Sequence, residues 1–160
     1  MSRNKRAFER LYNQSKGVKK AKPKRHKYGA KKTVVDGIKF DSQLEAKYYY
    51  HLMTLKQLGQ VKEIELQPEF VIQEKKKYKG ETIRKIVYKL DFKVVYNNGY
   101  TEYIDVKGMT TPVSQLKLKL VKGMYPDVNF KWIGYSIKHI GGWGDWHEIE
   151  RRKRKGNRGK

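Results

Sequence analysis

The chain of 160 residues contains no cysteine. That excludes a disulfide framework, a zinc–thiolate site and a cysteine nucleophile. No apolar run approaches the roughly 20 residues that cross a bilayer, and no signal-peptide hydrophobic region is visible. There is no Walker loop, no Gly-rich dinucleotide fingerprint and no nucleophile elbow. His26, His51, His139 and His147 have no metal-ligand spacing. Acidic residues are scarce: 16 Asp and Glu stand against 38 Lys and Arg, a formal net charge of +22. What is left is one domain's worth of chain, long enough for a real core, expected to be soluble and cytoplasmic with no membrane partner.

The excess charge is unevenly placed. Residues 1–32 hold 13 Lys or Arg and one acid, and residues 151–160 hold 7 and none. Residues 33–150 are close to balanced, at +3. Basic charge clustered in this way points to a polyanion, with DNA the expected partner. A solubility arm accounts for the same charge. The expected organisation is a basic N-terminal arm (1–32), a folded domain (33–146) and a basic C-terminal tail (147–160), with both ends flexible.

The most informative stretch runs from Ile83 to Gly108. Two arms rich in β-branched and aromatic residues flank Asn97-Asn98-Gly99, which predicts a β-hairpin. Ile86, Tyr88, Leu90, Phe92, Val94 and Tyr96 alternate onto one face of the first arm, and Tyr100, Ile104 and Val106 onto one face of the second. The two apolar faces match only if the loop has three residues, with Gly99 left-handed and Tyr96 opposite Tyr100. That register sets Asp91 opposite Asp105 and Lys89 opposite Lys107. Opposed side chains have Cβ atoms roughly 4.5–5.5 Å apart, and two carboxylates so close repel unless a cation or proton lies between them. A pair of oxygen ligands of this kind suits Mg²⁺ or Mn²⁺. Lys107 points the same way. Lys89, Lys93 and Lys107 also offer a way to neutralise both aspartates without a metal.

The remainder reads as an alternation of strands and helices. Thr33–Val35 and Ile38–Phe40 form two short strands about an Asp36-Gly37 turn. Ser42 opens a helix that Gly59 ends. Within it Glu45 stands three residues after Ser42, so Ser-x-x-Glu is either a capping box or the anchor of a third carboxylate near the metal. Val61–Leu66 and Phe70–Ile72 are strands separated by Gln67-Pro68. Glu74 to Glu81 is expected to be a basic loop, with Lys75, Lys76 and Lys77 as candidate DNA contacts beside Lys31 and Lys32. Thr111 caps a helix beginning at Pro112, with Val113, Leu116, Leu120 and Met124 as its apolar face. Lys117 and Lys119 on it are candidate phosphate contacts. Asn129–Tyr135 is the last core strand.

Asp91, a spacer, then Asp105-Val106-Lys107, with Glu45 on a preceding helix, resembles the active-site pattern of the PD-(D/E)xK nuclease superfamily. The stretch Lys27-Tyr28-Gly29-Ala30-Lys31-Lys32, followed by a Phe40-Asp41-Ser42 helix start, resembles a small phage-encoded group within it. The likeness covers roughly residues 27–140. One departure is Tyr-Lys-Leu before Asp91, where many members have Pro. The resemblance implies an α/β, restriction-endonuclease-like core in the order helix-strand-strand-strand-helix-strand, with a mixed sheet. It implies a Mg²⁺- or Mn²⁺-dependent DNA endonuclease using Asp91, Asp105 and Glu45 as metal ligands and Lys107 as a catalytic group. It also implies a phage role in DNA recombination, repair or processing that extends to branched DNA such as Holliday junctions. Two symmetric cuts would need a homodimer, for which no sequence motif stands out. The alternative is a catalytically silent nuclease fold that only binds nucleic acid.

Overall fold

A computed structural model describes residues 32–158. The N-terminal arm, including Lys31, lies outside the described residues. Thr33–Val35 (β1) and Ile38–Phe40 (β2) form a small hairpin. Gln43–Gln57 is helix α1. Val61–Leu66 (β3), Phe92–Tyr96 (β8), Thr101–Val106 (β9), Phe130–Ser136 (β10) and Gly142–Asp145 (β11) build one mixed sheet in the order β11-β10-β9-β8-β3. Only β9 and β10 run parallel, because helix α2 (Pro112–Met124) carries the chain over between them. A short helix α3 (Ile137–Ile140) and a long helix α4 (Trp146–Arg158) follow. The protein is thus α/β. Among the described residues no helix is long and apolar enough to cross a membrane.

The predicted hairpin register is present. Phe92 pairs with Ile104 and Val94 with Glu102, and the Tyr96 amide donates to Tyr100 O at 2.8 Å. Gly99 takes φ +84°, as the three-residue loop requires. The first arm is not one continuous strand, however. Ile86–Lys89 (β7) leaves the main sheet and pairs with Glu69–Gln73 (β4). Lys89 is therefore opposite Glu69, not Lys107. The crossing occurs where Gln67-Pro68 meets Leu90-Asp91: Leu90 N–H donates to Pro68 O, and Gln67 N–H to Asp91 O. Gln67 accommodates the bend with φ +55°.

The break divides the apolar series of the first arm between two cores. Phe92, Val94, Ile104 and Val106 pack with Tyr48, Tyr49 and Leu52 of α1 on one face of the sheet. Tyr88 and Leu90 pack with Leu118, Val121, Phe130, Trp132 and Trp146 on the other. Each large apolar side chain so buried contributes about 1.5–3 kcal/mol.

Three further expectations are corrected. Residues 147–158 are not a tail: α4 lies against β10 and buries Trp146 and Ile149. Gly134 of β10 makes the approach possible, since a Cβ there would stand 2.9 Å from Ile149 Cδ1. The seven Lys and Arg residues at the end of the chain concealed the one apolar side that holds the helix down. Residues 74–81 are not a plain loop, because Lys76–Tyr78 (β5) and Glu81–Ile83 (β6) form an exposed hairpin. Finally, α2 buries Leu118 and Val121, while Val113, Leu116, Leu120 and Met124 are exposed. Leucines at 116, 118 and 120 leave two registers of the helix open, and contact with Trp132 and Phe130 selects Leu118.

Candidate active site

The cleft begins at the bend. Where β7 turns away, the main-chain ladder between β8 and β9 opens, and the Asp91 carboxylate takes its place: Oδ2 accepts the Val106 N–H at 2.7 Å. The register continued one residue beyond Phe92–Ile104 puts Asp91 opposite Asp105. Asp105 is buried, and its Oδ2 accepts the Tyr88 hydroxyl at 2.8 Å and lies 2.7 Å from Lys107 Nζ. The Tyr88 oxygen in turn accepts the Trp132 indole N–H at 2.7 Å. Trp132 is the neighbour of Asp105 on the parallel strand β10. The Lys107 ammonium stands 5.5 Å from the Trp132 ring centroid.

Glu45 takes the capping place, and its carboxylate is held there. Ser42 is the N-cap of α1, and its Oγ accepts the Glu45 N–H at 3.1 Å. The Glu45 carboxylate accepts from the Asp41 N–H and the Ser42 hydroxyl. It also lines a cleft of about 470 Å³ together with Tyr88, Asp91, Asp105, Lys107 and Lys117. With its oxygens on the cap it does not close around the aspartates. Among the described residues no group of three or more His, Cys, Asp or Glu is arranged to hold a metal ion.

The electrostatics of the cleft are those of crowded negative charge. Burial, then Asp105, then Glu45 push the Asp91 carboxyl up to about 8, against the pull of the Val106 N–H and Lys107. Burial, with a smaller contribution from Asp105, raises Glu45 as well. Burial and the adjoining Asp105 keep the Tyr88 phenol protonated far above its ordinary range. The donor set is hard oxygen, and its carboxylates are strained toward holding a proton. That suits a hard divalent cation.

The candidate phosphate contacts are scattered. Lys117 Nζ donates to Val87 O at the edge of this cleft. Lys119, two residues on, lines a different cavity. Lys75, Lys76 and Lys77 are exposed on and before β5, and Lys32 lies 3.7 Å from Asp41. Sequence reasoning missed Tyr88 and Trp132 as members of the site. Their polar ends were the available signal, but only the bend that carries β7 across Asp105 brings them there.

No curated protein and no solved structure matches the chain. A family model does match, over residues 25–141, a span that takes in α1, the bent strands, Asp91, Asp105, Lys107 and β10. The chain belongs to that family, which is described as a protein of unknown function, DUF1064.

Proposed function

We propose that the protein is a metal-dependent DNA endonuclease of the PD-(D/E)xK kind, with a restriction-endonuclease-like core. One observation carries this reading: Asp91 and Asp105 face each other across the opened end of two strands, with the Lys107 ammonium 2.7 Å from Asp105. Solvated charges on a hairpin would spread apart, whereas these are gathered, buried at Asp105 and half-buried at Asp91, and held by Tyr88 and Val106 N–H. The order α1, β3, β8, β9, α2, β10, with β4 to β7 intervening between β3 and β8, supports such a core.

Asp91 and Asp105 would hold Mg²⁺ or Mn²⁺, with Glu45 released from its cap as a third carboxylate. The bound ion would lower the pKa of a water and neutralise charge on the scissile phosphate. Lys107 lies where it would orient that water and offset charge on the phosphoryl oxygens as they become more negative. Tyr88 and Val106 N–H fix the carboxylates, so no reorganisation is needed at the moment of reaction. The basic residues of the N-terminal arm would add salt-sensitive affinity for the DNA backbone. Phage DNA recombination or repair is the role this reading suggests.

The test is cleavage of labelled linear, flapped and four-way DNA with Mg²⁺, Mn²⁺ or chelator, for the wild type and Asp105→Ala. Metal-dependent cutting that Asp105→Ala abolishes, with DNA binding retained, supports the enzyme. A second reading, a silent nucleic-acid-binding fold, is favoured by the Lys107–Asp105 pair, which already neutralises one carboxylate. Binding without cutting in any metal would establish it.

A further inference from the structure

Among the described residues a second cavity is larger than the carboxylate cleft. It measures about 670 Å³ and lies between α2 and α4, beyond the Gly108–Thr110 segment that follows Lys107. Sites for small organic ligands span roughly 300–1,000 Å³. Its walls include Lys119, Lys122, Trp132, His147, Glu150 and Arg154. Three features of this wall point to one kind of occupant.

The first feature is a flat aromatic surface. The exposed His147 imidazole lies nearly parallel to the buried Trp132 indole, at 16° and 5.3 Å between centroids. The second is charge. Lys119, Lys122 and Arg154 are exposed cations, while the one acid, Glu150, is paired with Lys153 at 2.7 Å. Rings on which a base can stack, rimmed by cations at phosphate reach, are the means by which proteins hold unpaired nucleotides. The third is continuity with the cleft. Trp132 floors this cavity and also meets Lys107 and Tyr88, so the two sites share one side chain.

We infer that this cavity receives an unpaired nucleotide of the strand whose scissile phosphate is presented to the Asp91–Asp105 cleft. Its base lies on His147, and its flanking phosphates on Lys119, Lys122 and Arg154. A base within a duplex cannot descend between two helices, because it must first leave the stack. The substrate class is therefore DNA with single-stranded nucleotides beside the cut, such as a flap or fork. This inference rests on the nuclease reading for the position of the cut, but not for the binding itself.

Binding is measured on the full chain in chelator, so that nothing is cleaved. The probes are a fluorescent 5′ flap, a fully paired duplex of equal length and free dAMP as competitor. The expected result is that the flap binds about tenfold more tightly than the duplex. Arg154→Ala and His147→Ala should each remove most of that difference and leave duplex affinity within about twofold. Arg154 is exposed, so its replacement leaves the fold intact even if His147→Ala does not. Equal binding of flap and duplex by the wild type overturns the proposal. So does an equal loss on both probes in the variants, or displacement of the duplex by dAMP as readily as the flap. The two readings separate cleanly. A flap preference that depends on Arg154, in a protein that cuts nothing in Mg²⁺ or Mn²⁺, sinks the nuclease and leaves this site standing. Asp105-dependent cutting with no flap preference does the reverse.

Discussion

The Tyr88 hydroxyl donates to Asp105 Oδ2 across 2.8 Å while accepting from the Trp132 indole. Both residues are buried, so this bond is made in a medium where neither partner has water as a substitute. Tyr88→Phe strands the Trp132 N–H and strips one donor from Asp105. The variant should lose about 1–3 kcal/mol of stability, read by thermal or urea denaturation. An unchanged melting temperature would mean that the hydroxyl does not hold the carboxylate.

Asp91 predicts the pH dependence. Its carboxyl is raised from an ordinary value of 3.8 to about 8, so the folded state binds this proton more tightly than the unfolded state. The resulting stability is fully present below about pH 4 and is lost as the pH rises to and through about 8. Asp91→Asn has no proton to lose. Without metal, wild type and variant should match near pH 4, and the variant should be about 1–3 kcal/mol more stable at pH 8.5. Denaturation curves at the two pH values decide it. Mn²⁺ must compete with the same proton, so calorimetry should show wild-type affinity rising about tenfold per pH unit up to about pH 8.

Lys107 competes with a cation for Asp105, from which it stands only 2.7 Å away. Lys107→Met should therefore tighten Mn²⁺ binding and yet slow cleavage by about 10²–10³, as expected when a donor to developing charge is lost. Calorimetry and single-turnover rates measure the two effects separately. Weaker metal binding in the variant would show that the ammonium supports the ligands and does not act on the phosphate.

Ile149, only 2 % exposed, is the test of whether α4 belongs to the folded domain. Ile149→Ala should cost about 2–5 kcal/mol, as burial in a packed interior requires. It should also open the wall that carries His147 and Arg154. A loss below about 0.5 kcal/mol, the scale of an ordinary surface change, would return residues 147–158 to the status of a tail.

The hairpin register could be read from sequence because one local fact controls it. Only a three-residue loop with Gly99 left-handed lets Tyr96 meet Tyr100 and keeps two apolar faces together. Ser42 and Thr111 were legible for a similar reason, since a cap acts within three or four residues. What alternation could not reveal was the change of partner at Asp91. Tyr88 and Phe92 keep period 2 in the sequence, yet serve opposite faces, because the strand between them leaves one sheet for another. The decision is made by Gln67 and Pro68 in the link between β3 and β4, more than twenty residues earlier. The same limit hid α4. A helix with Arg or Lys at 151, 152, 153, 154 and 155 reads as solvent-facing throughout until β10 supplies a glycine for it to lie against.

The ribbon of β4 and β7 is hydrogen-bonded to α2 as well as packed on the main sheet. Tyr125 donates to Val71 O, Lys117 donates to Val87 O, and Phe70 meets the Tyr125 ring edge-on at 5.0 Å. Its main chain meets the sheet at Gln67-Pro68 and Leu90-Asp91, and its side chains meet it through Tyr88 on Asp105 and Phe70 on Tyr103 and Phe130. Asp91 thus sits at the pivot of a lever whose far arm is the C-terminal end of α2. Tyr125, remote from any carboxylate, bears on the same ribbon that ends at Asp91, and a substitution there is expected to reach the cleft without touching it.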